Sequence, residues 1–248
     1  RFGGKVKSFD ATAAKAIPGV SDVVAFKTSV REGVAVLAKD YYTAKKGRDA
    51  VKVEWDDSKA EKRSSAQIMA SYKALAARPG DEAFKAGDAP KALAAATTHF
   101  EAQYEFPYLA HASMEPLNCV VQVTDAGCEM WFGAQLQTID QGTVAAALGL
   151  KPELYAGGSF GRRSNPMADF TQEAAVIAKV GGQGKPVKMV WSREDDTRGG
   201  FYRPMFLHNI KAGVDAQGNI TSWQQRLVGQ RHHDRVNLAG QRGQADAL

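Results

Sequence analysis

Cysteine is scarce, with two in 248 residues, Cys119 and Cys128. Two thiols do not furnish a structural zinc site, and iron–sulfur ligation needs about four. They bracket CVVQVTDAGC, which reads as a hairpin turning at Asp125-Ala126-Gly127. That register sets them on different levels of the ladder, so free thiols are expected and the redox compartment stays open. Long apolar runs are also missing. Nothing approaches the roughly 20 residues needed to cross a bilayer, and the first residues hold no signal-peptide hydrophobic stretch, so a soluble chain without a transmembrane segment is expected. Neither G-x-x-x-x-G-K-S/T nor G-x-G-x-x-G occurs, which disfavours a P-loop protein and a nicotinamide enzyme. The formal charge of +5 and pI near 9.1 permit an acidic partner or an anionic cofactor. No lysine-arginine block interleaved with aromatics is present, so nucleic acid is not the expected partner. Internal repeats and low-complexity tracts are absent too.

With 44% hydrophobic and 24% charged residues, the chain supports one large domain or two small ones. The first sixty residues hold three strand-like runs, DVVAF, GVAVLAK and AVKVEW, with a helical piece at DATAAKAI: a small α+β unit. Ser64 or Ser65 caps a helix whose face carries Ile68, Met69, Tyr72, Leu75 and Ala76. Polar, proline-containing sequence at 78–90 is the best linker, and Asp88 with Pro90 opens a short alanine-rich helix. From Thr98 the period becomes two, with Phe100, Ala102, Tyr104 and Phe106 alternating with polar residues, which predicts a half-buried strand. A hairpin at NCVVQV and CEMWF, a helix over Thr138–Leu148, a strand at VKMVW and a long hairpin about DAQGN follow. Between LGLKPE and the next glycines only LYA intervenes, too little for a strand. Either that connection is short or residues are absent between 153 and 154. The tail from HHDRVN onward has neither period and reads as a loop or a discontinuous segment.

The stretch LYAGGSFGRRSNP, residues 154–166, draws attention to itself. Asn165 is a good helix N-cap and Pro166 suits the first helical position, so a helix is predicted over about 166–180. A glycine-rich turn at a helix start gathers backbone N–H groups around an anion, and Arg162 and Arg163 would add charge and bidentate donors. The bland alternative is a tight turn used only for packing. Ser159 does not form the G-x-S-x-G elbow of hydrolases. His111 and Glu115 in HASMEP have the spacing of helical metal ligands. Pro116 and the lack of a second histidine pair favour a structural role for both. His232-His233-Asp234 reads as a solvated tail, and SREDDTR as a surface salt-bridge network.

Taken together, these segments resemble the large subunit of the xanthine oxidase family of molybdenum hydroxylases. GKVKSFDATAAKAIPGVSDVVAF and GVAVLAKDYYTAKKGRDAVKVEWDD look like its α/β hammerhead domain. PYLAHASMEPLNCVV, GAQLQT, GGSFGRR, WSREDD and YRPMFLHNIKAGVDAQGNI follow in the family's order. GGSFGRRSNP and EPLNC look closest to the isoquinoline 1-oxidoreductase beta subunit and related periplasmic aldehyde dehydrogenases.

The resemblance implies an α+β fold: a hammerhead domain with a following helix and linker over 1–85, then part of a mixed α/β molybdopterin-binding domain over 86–248. It implies that Gly158, Ser159, Phe160 and Gly161 wrap the molybdenum centre with N–H groups toward it. It implies that Gln135 hydrogen-bonds a molybdenum oxygen, and that Arg162 and Arg163 bring charge near the pterin or its phosphates. Ser164 stands where xanthine-converting members carry a glutamate, which speaks against a purine. The implied activity is hydroxylation of an N-heterocycle or oxidation of an aldehyde with water as oxygen source. The implied cofactor is molybdopterin in its cytosine dinucleotide form with molybdenum. A small subunit with 2Fe-2S clusters, and a cytochrome c subunit, are the implied partners beside a small-molecule substrate. The family's catalytic glutamate has no counterpart here, so the chain reads as a fragment. Localisation leans to the bacterial periplasm or a membrane-associated site, with the cytoplasm as the alternative. The competing readings are a non-catalytic scaffold and an anion- or nucleic-acid-binding module using Arg162 and Arg163.

Overall fold

The structure, a computed structural model, describes residues 2–150 and 161–230 together with the backbone of 245–247. In chain order its elements are β1 (Lys5–Asp10), α1 (Thr12–Lys15), β2 (Val20–Lys27), β3 (Glu32–Ala38), α2 (Tyr41–Ala50), β4 (Lys52–Asp56), α3 (Ser65–Ala76), β5 (Asp81–Glu82), α4 (Ala89–Ala94), β6 (Thr98–Phe106), β7 (Asn118–Thr124), β8 (Gly127–Trp131), α5 (Gln137–Leu148), α6 (Asp169–Gly181), β9 (Val187–Val190), α7 (Arg193–Gly199), β10 (Phe206–Val214), β11 (Ile220–Gly229) and β12 (Ala245–Ala247). Helices and strands mix as an α+β chain should. Two compact units result, each built from two stretches of sequence: Arg1–Glu61 with Ala110–Phe201, and Lys62–Leu109 with Tyr202–Leu248.

In the first unit β1 pairs with β4, β2 with β3, and β7 lies between β8 and β9, all antiparallel. The core gathers Leu117, Cys119 and Val121 of the β7 region, Val144 and Leu148 of α5, Phe170, Ala174, Ala175 and Ala178 of α6, and Trp191. Phe170 is fully buried, with its ring edge-on to Phe132 at 5.8 Å. Cys128 faces Val123 across the hairpin while Cys119 faces Met189 on the other side of β7, and both thiols are free. α2 and α7 escaped the sequence reading. α2 carries a polar sequence with a weak apolar stripe, yet Asp40 starts it by accepting the Thr43 N–H at 2.7 Å.

In the second unit the strand order is β5-β12-β11-β10-β6. α3 opens with a reciprocal cap, in which Ser64 Oγ accepts from Gln67 N–H and Gln67 Oε1 accepts from Ser64 N–H. It buries Ile68, Met69, Tyr72 and Ala76 against Met205, Leu207 and Val228. The β10–β11 hairpin turns at Asp215, whose carboxylate accepts the N–H groups of Gln217 and Asn219. The half-buried strand expected at 98–106 is present but wholly exposed. β6 is an edge strand, and its register puts Phe106 and Tyr104 opposite Phe206 and His208. That is the sheet face away from Leu207, the side on which α3 packs.

Two substitutions separate these environments. Leu207→Ala removes a fully buried side chain and should lower stability by about 2–5 kcal/mol. Phe100→Ala on the exposed strand should stay within about 0.5 kcal/mol. Denaturant midpoints for the two variants check the ordering.

Candidate cofactor loop

The loop that follows the glycines is held from within. Gly158, Ser159 and Phe160 lie outside the described residues, as does His232-His233-Asp234, so the built part begins at Gly161. Gly161 has φ +94°, a conformation that glycine takes without strain. Its N–H donates to Gln135 Oε1 at 3.0 Å, and the Arg163 N–H donates to the same oxygen at 3.3 Å. Gln135 thus pins two turns of backbone with one carbonyl.

The two arginines do not reach outward. Arg162 is 2% exposed, and its guanidinium grips Asp169 in a fork, Nη1 to Oδ1 at 3.1 Å and Nη2 to Oδ2 at 2.8 Å. Arg163 is 3% exposed and donates to the Gly133 carbonyl at 2.8 Å and to Glu115 at 3.0 Å. Its guanidinium also lies over the Phe170 ring at 5.6 Å. Residue 133 must be glycine for this, because a Cβ there would sit 2.3 Å from Arg163 Nη1. Burial compels each to find a partner inside the protein, and each has one.

The helix start moves for the same reason. α6 begins at Asp169, three residues later than Asn165 and Pro166 predict. Asn165 Oδ1 accepts the Met167 N–H at 2.9 Å, and its Nδ2 donates to Asp169 Oδ1. This turn leaves Ala168 left-handed at φ +45° just ahead of the helix. The anion at the helix N-terminus is then the chain's own Asp169 carboxylate. Arg31 completes its coordination, donating from Nη2 to Oδ2 at 2.5 Å. Glu173, one turn on, accepts from Trp191 Nε1 at 3.1 Å and lies 3.7 Å from Arg31 Nε. Both Arg31 and Arg162 stack on Trp191, at 4.7 and 5.4 Å.

Charge inside this cluster is uneven. The guanidiniums of Arg162 and Arg31 overcome burial at Asp169 and hold its carboxyl below the usual range. Glu173 has weaker compensation, and burial pushes it up to about 7. Asp140, which accepts from Thr171 Oγ1 at 2.8 Å, is pushed by burial to about 6.

SREDDTR, expected on the surface, is only partly there. α7 is capped by Ser192 and Asp195, and Arg193 bonds the buried Asp196 while donating to the carbonyls of Ser113 and Met114. It thereby clamps the HASMEP segment, in which Glu115 pairs with Arg163. The ring of His111 borders Gly161, since a Cβ at 161 would lie 3.5 Å from its Nε2. Among the described residues no group of three or more His, Cys, Asp or Glu side chains is placed to hold a metal ion. No helix among them is long and apolar enough to cross a membrane. Arg31 was missed from the sequence because nothing near it in the chain marks it.

Comparison with known proteins gives a consistent picture. The profile of the molybdopterin cofactor-binding domain matches residues 74–231. The beta subunit of isoquinoline 1-oxidoreductase from Brevundimonas diminuta is 31% identical over 224 residues, covering 83% of this chain and 27% of that protein. A membrane-bound aldehyde dehydrogenase of Gluconacetobacter polyoxogenes, designated pyrroloquinoline-quinone, is 31% identical over 234 residues, covering 90% and 30%. The chain thus spans less than a third of the length of these two relatives. Among solved structures, the aldehyde oxidoreductase of Desulfovibrio desulfuricans superposes with a TM-score of 0.66 at 18% identity, over 90% of this chain and 29% of that one. Quinoline 2-oxidoreductase of Pseudomonas putida gives 0.63 at 16% identity, over 90% and 34%.

The cluster yields a pH test. An acid whose folded value is raised stabilises the fold below its ordinary value, 4.5 for glutamate, and that contribution is lost as pH climbs to about 7. Stability should therefore fall between about pH 5 and 7 and flatten above. Glu173→Gln should shallow that slope, leaving the smaller contribution of Asp140. Unfolding midpoints across this range for both proteins give the comparison, and identical slopes would contradict the assignment.

Proposed function

The chain belongs to the molybdopterin cofactor-binding family of xanthine-oxidase-type proteins, and from that premise we propose that it is the cofactor-holding portion of a molybdenum hydroxylase subunit. The observation that carries the reading is the built loop: Gly161 and Arg163 pinned by the Gln135 carbonyl, with two buried arginines fixing its far side. A polar group bound there meets an amide donor beside a position that has no side chain, which fits an oxygen-rich cofactor. In this reading Gln135 both shapes the loop and donates to the bound group. Gly158, Ser159 and Phe160 are proposed as further cofactor-binding residues. Arg162 and Arg163 act from behind, by holding the backbone still.

When bound, the molybdenum cofactor supplies two-electron oxidation of an aldehyde or an N-heterocyclic carbon, with water as the oxygen source. The names of the two relatives, one acting on isoquinoline and one an aldehyde dehydrogenase, support these two substrate classes. The cytosine dinucleotide form is the one we propose. A 2Fe-2S subunit as electron acceptor is consistent with relatives named as subunits, and a cytochrome c subunit would follow it. On the same reading residues 1–85 correspond to the hammerhead domain with its linker, and 86–248 to part of the cofactor domain. The relative described as membrane-bound supports a membrane-associated setting over the cytoplasm. The scaffold and anion-binding readings lose ground because the arginines on which the second depends are buried and paired.

Full-length protein purified with its neighbouring subunits from a host that makes the cofactor should carry near-stoichiometric molybdenum and co-purifying iron. Gln135→Leu should lower turnover by about tenfold or more with little change in thermal midpoint. A folded complete protein without molybdenum contradicts the proposal, as does full turnover in the variant.

A further inference from the structure

Arg31 stands 138 residues ahead of Asp169 in the chain, on the turn between β2 and β3. That turn closes on itself. The Thr28 N–H donates to the Arg31 carbonyl at 2.8 Å, and Thr28 Oγ1 accepts the N–H groups of Val30 and Arg31 at 3.2 and 3.0 Å. It is also fastened to α6, because the N–H and Oγ of Ser29 both donate to Gln172 Oε1, at 2.9 and 3.0 Å. From this fixed base the Arg31 guanidinium reaches Asp169 Oδ2, the same oxygen that receives Arg162 Nη2.

One carboxylate oxygen thus takes two cations, one from the N-terminal segment and one from the loop. Displacing either shifts the other. The other oxygen is shared by Arg162 Nη1 and Asn165 Nδ2, so both oxygens of the carboxylate are held. Trp191 backs both guanidiniums and is itself tied to Glu173, which closes the cluster. Arg31, with 23% of its side chain exposed, forms the outer wall.

We propose that Arg31 is a positioning residue for the cofactor loop: by fixing Asp169 it fixes the carboxylate on which Arg162 aligns, and so sets the backbone of 161–163 that Gln135 holds from the other side. This rests on the reading of the loop as cofactor-holding. Coupling of this kind is reciprocal, so a group bound against the loop must also steady the turn at 28–31.

The test uses the full-length holoenzyme as wild type, Arg31→Met, Arg31→Lys and Val24→Ala. Val24 is buried in β2 beside Gly181, at the opposite end of α6 from Asp169, so it controls for lost stability. Molybdenum and pterin per polypeptide are measured after dialysis. Amide exchange at 28–33 is compared with that of protein from a host unable to make the cofactor. Arg31→Met should retain about tenfold less molybdenum. Arg31→Lys, which keeps the charge but not the fork, should be intermediate. Val24→Ala should retain it fully. Loading should slow exchange at 28–31 in wild type and leave it unchanged in Arg31→Met. Should Arg31→Met not accumulate, Arg31→Lys carries the test, with reduced retention expected at an unchanged thermal midpoint. Wild-type retention in the Arg31 variants, or an equal loss in Val24→Ala, overturns the proposal. Wild type without molybdenum contradicts the reading of the loop instead.

Discussion

A carboxylate with no solvent contact has to be answered by charge, and Asp169 is answered twice. Arg162 meets it as a fork, Arg31 meets Oδ2 from another part of the chain, and Asn165 shares Oδ1 with the fork. Much of the first unit follows from that requirement. The helix after the glycines starts at Asp169 because the carboxylate belongs where the helix N–H groups and both guanidiniums converge. Ala168 takes a left-handed conformation because Asn165 is bent back to the same group. Removing either partner would strand a buried charge, which is far costlier than the modest net gain from the intact pair.

The second anchor is of a different kind. Arg163 turns away from Asp169 toward a backbone carbonyl and an exposed glutamate, and a glycine at 133 makes room for it. Gln135 then ties the loop backbone at 161 and 163. A loop held at three points by buried groups keeps its shape without help from whatever it contacts. That is the condition for a binding surface made of backbone and small residues.

The periodic parts of the chain were legible. The apolar faces of α3 and α5, the hairpins at Asp125 and Asp215, and the glycine stops follow from spacing alone. The alternation in β6 was legible too, but its exposure was not, because period two shows which residues share a face and not whether anything covers it. Asn165-Pro166 read as a helix start on local preference, and a tertiary charge cluster overrode it. Arg162 and Arg163 read as donors to a ligand because their carboxylate partners, at 169 and 115, were ordinary residues until the fold brought them close. Arg31 could not be picked out at all, since its meaning lies 138 residues away.

Anomalous diffraction from crystals of the loaded, full-length protein, collected at the molybdenum absorption edge, tests the central claim most directly. The expected result is a single strong peak beside Gln135 and Gly161, within reach of the glutamine amide. A peak remote from this loop in a protein that retains its metal would contradict the claim that the Asp169-anchored backbone is built to hold the cofactor.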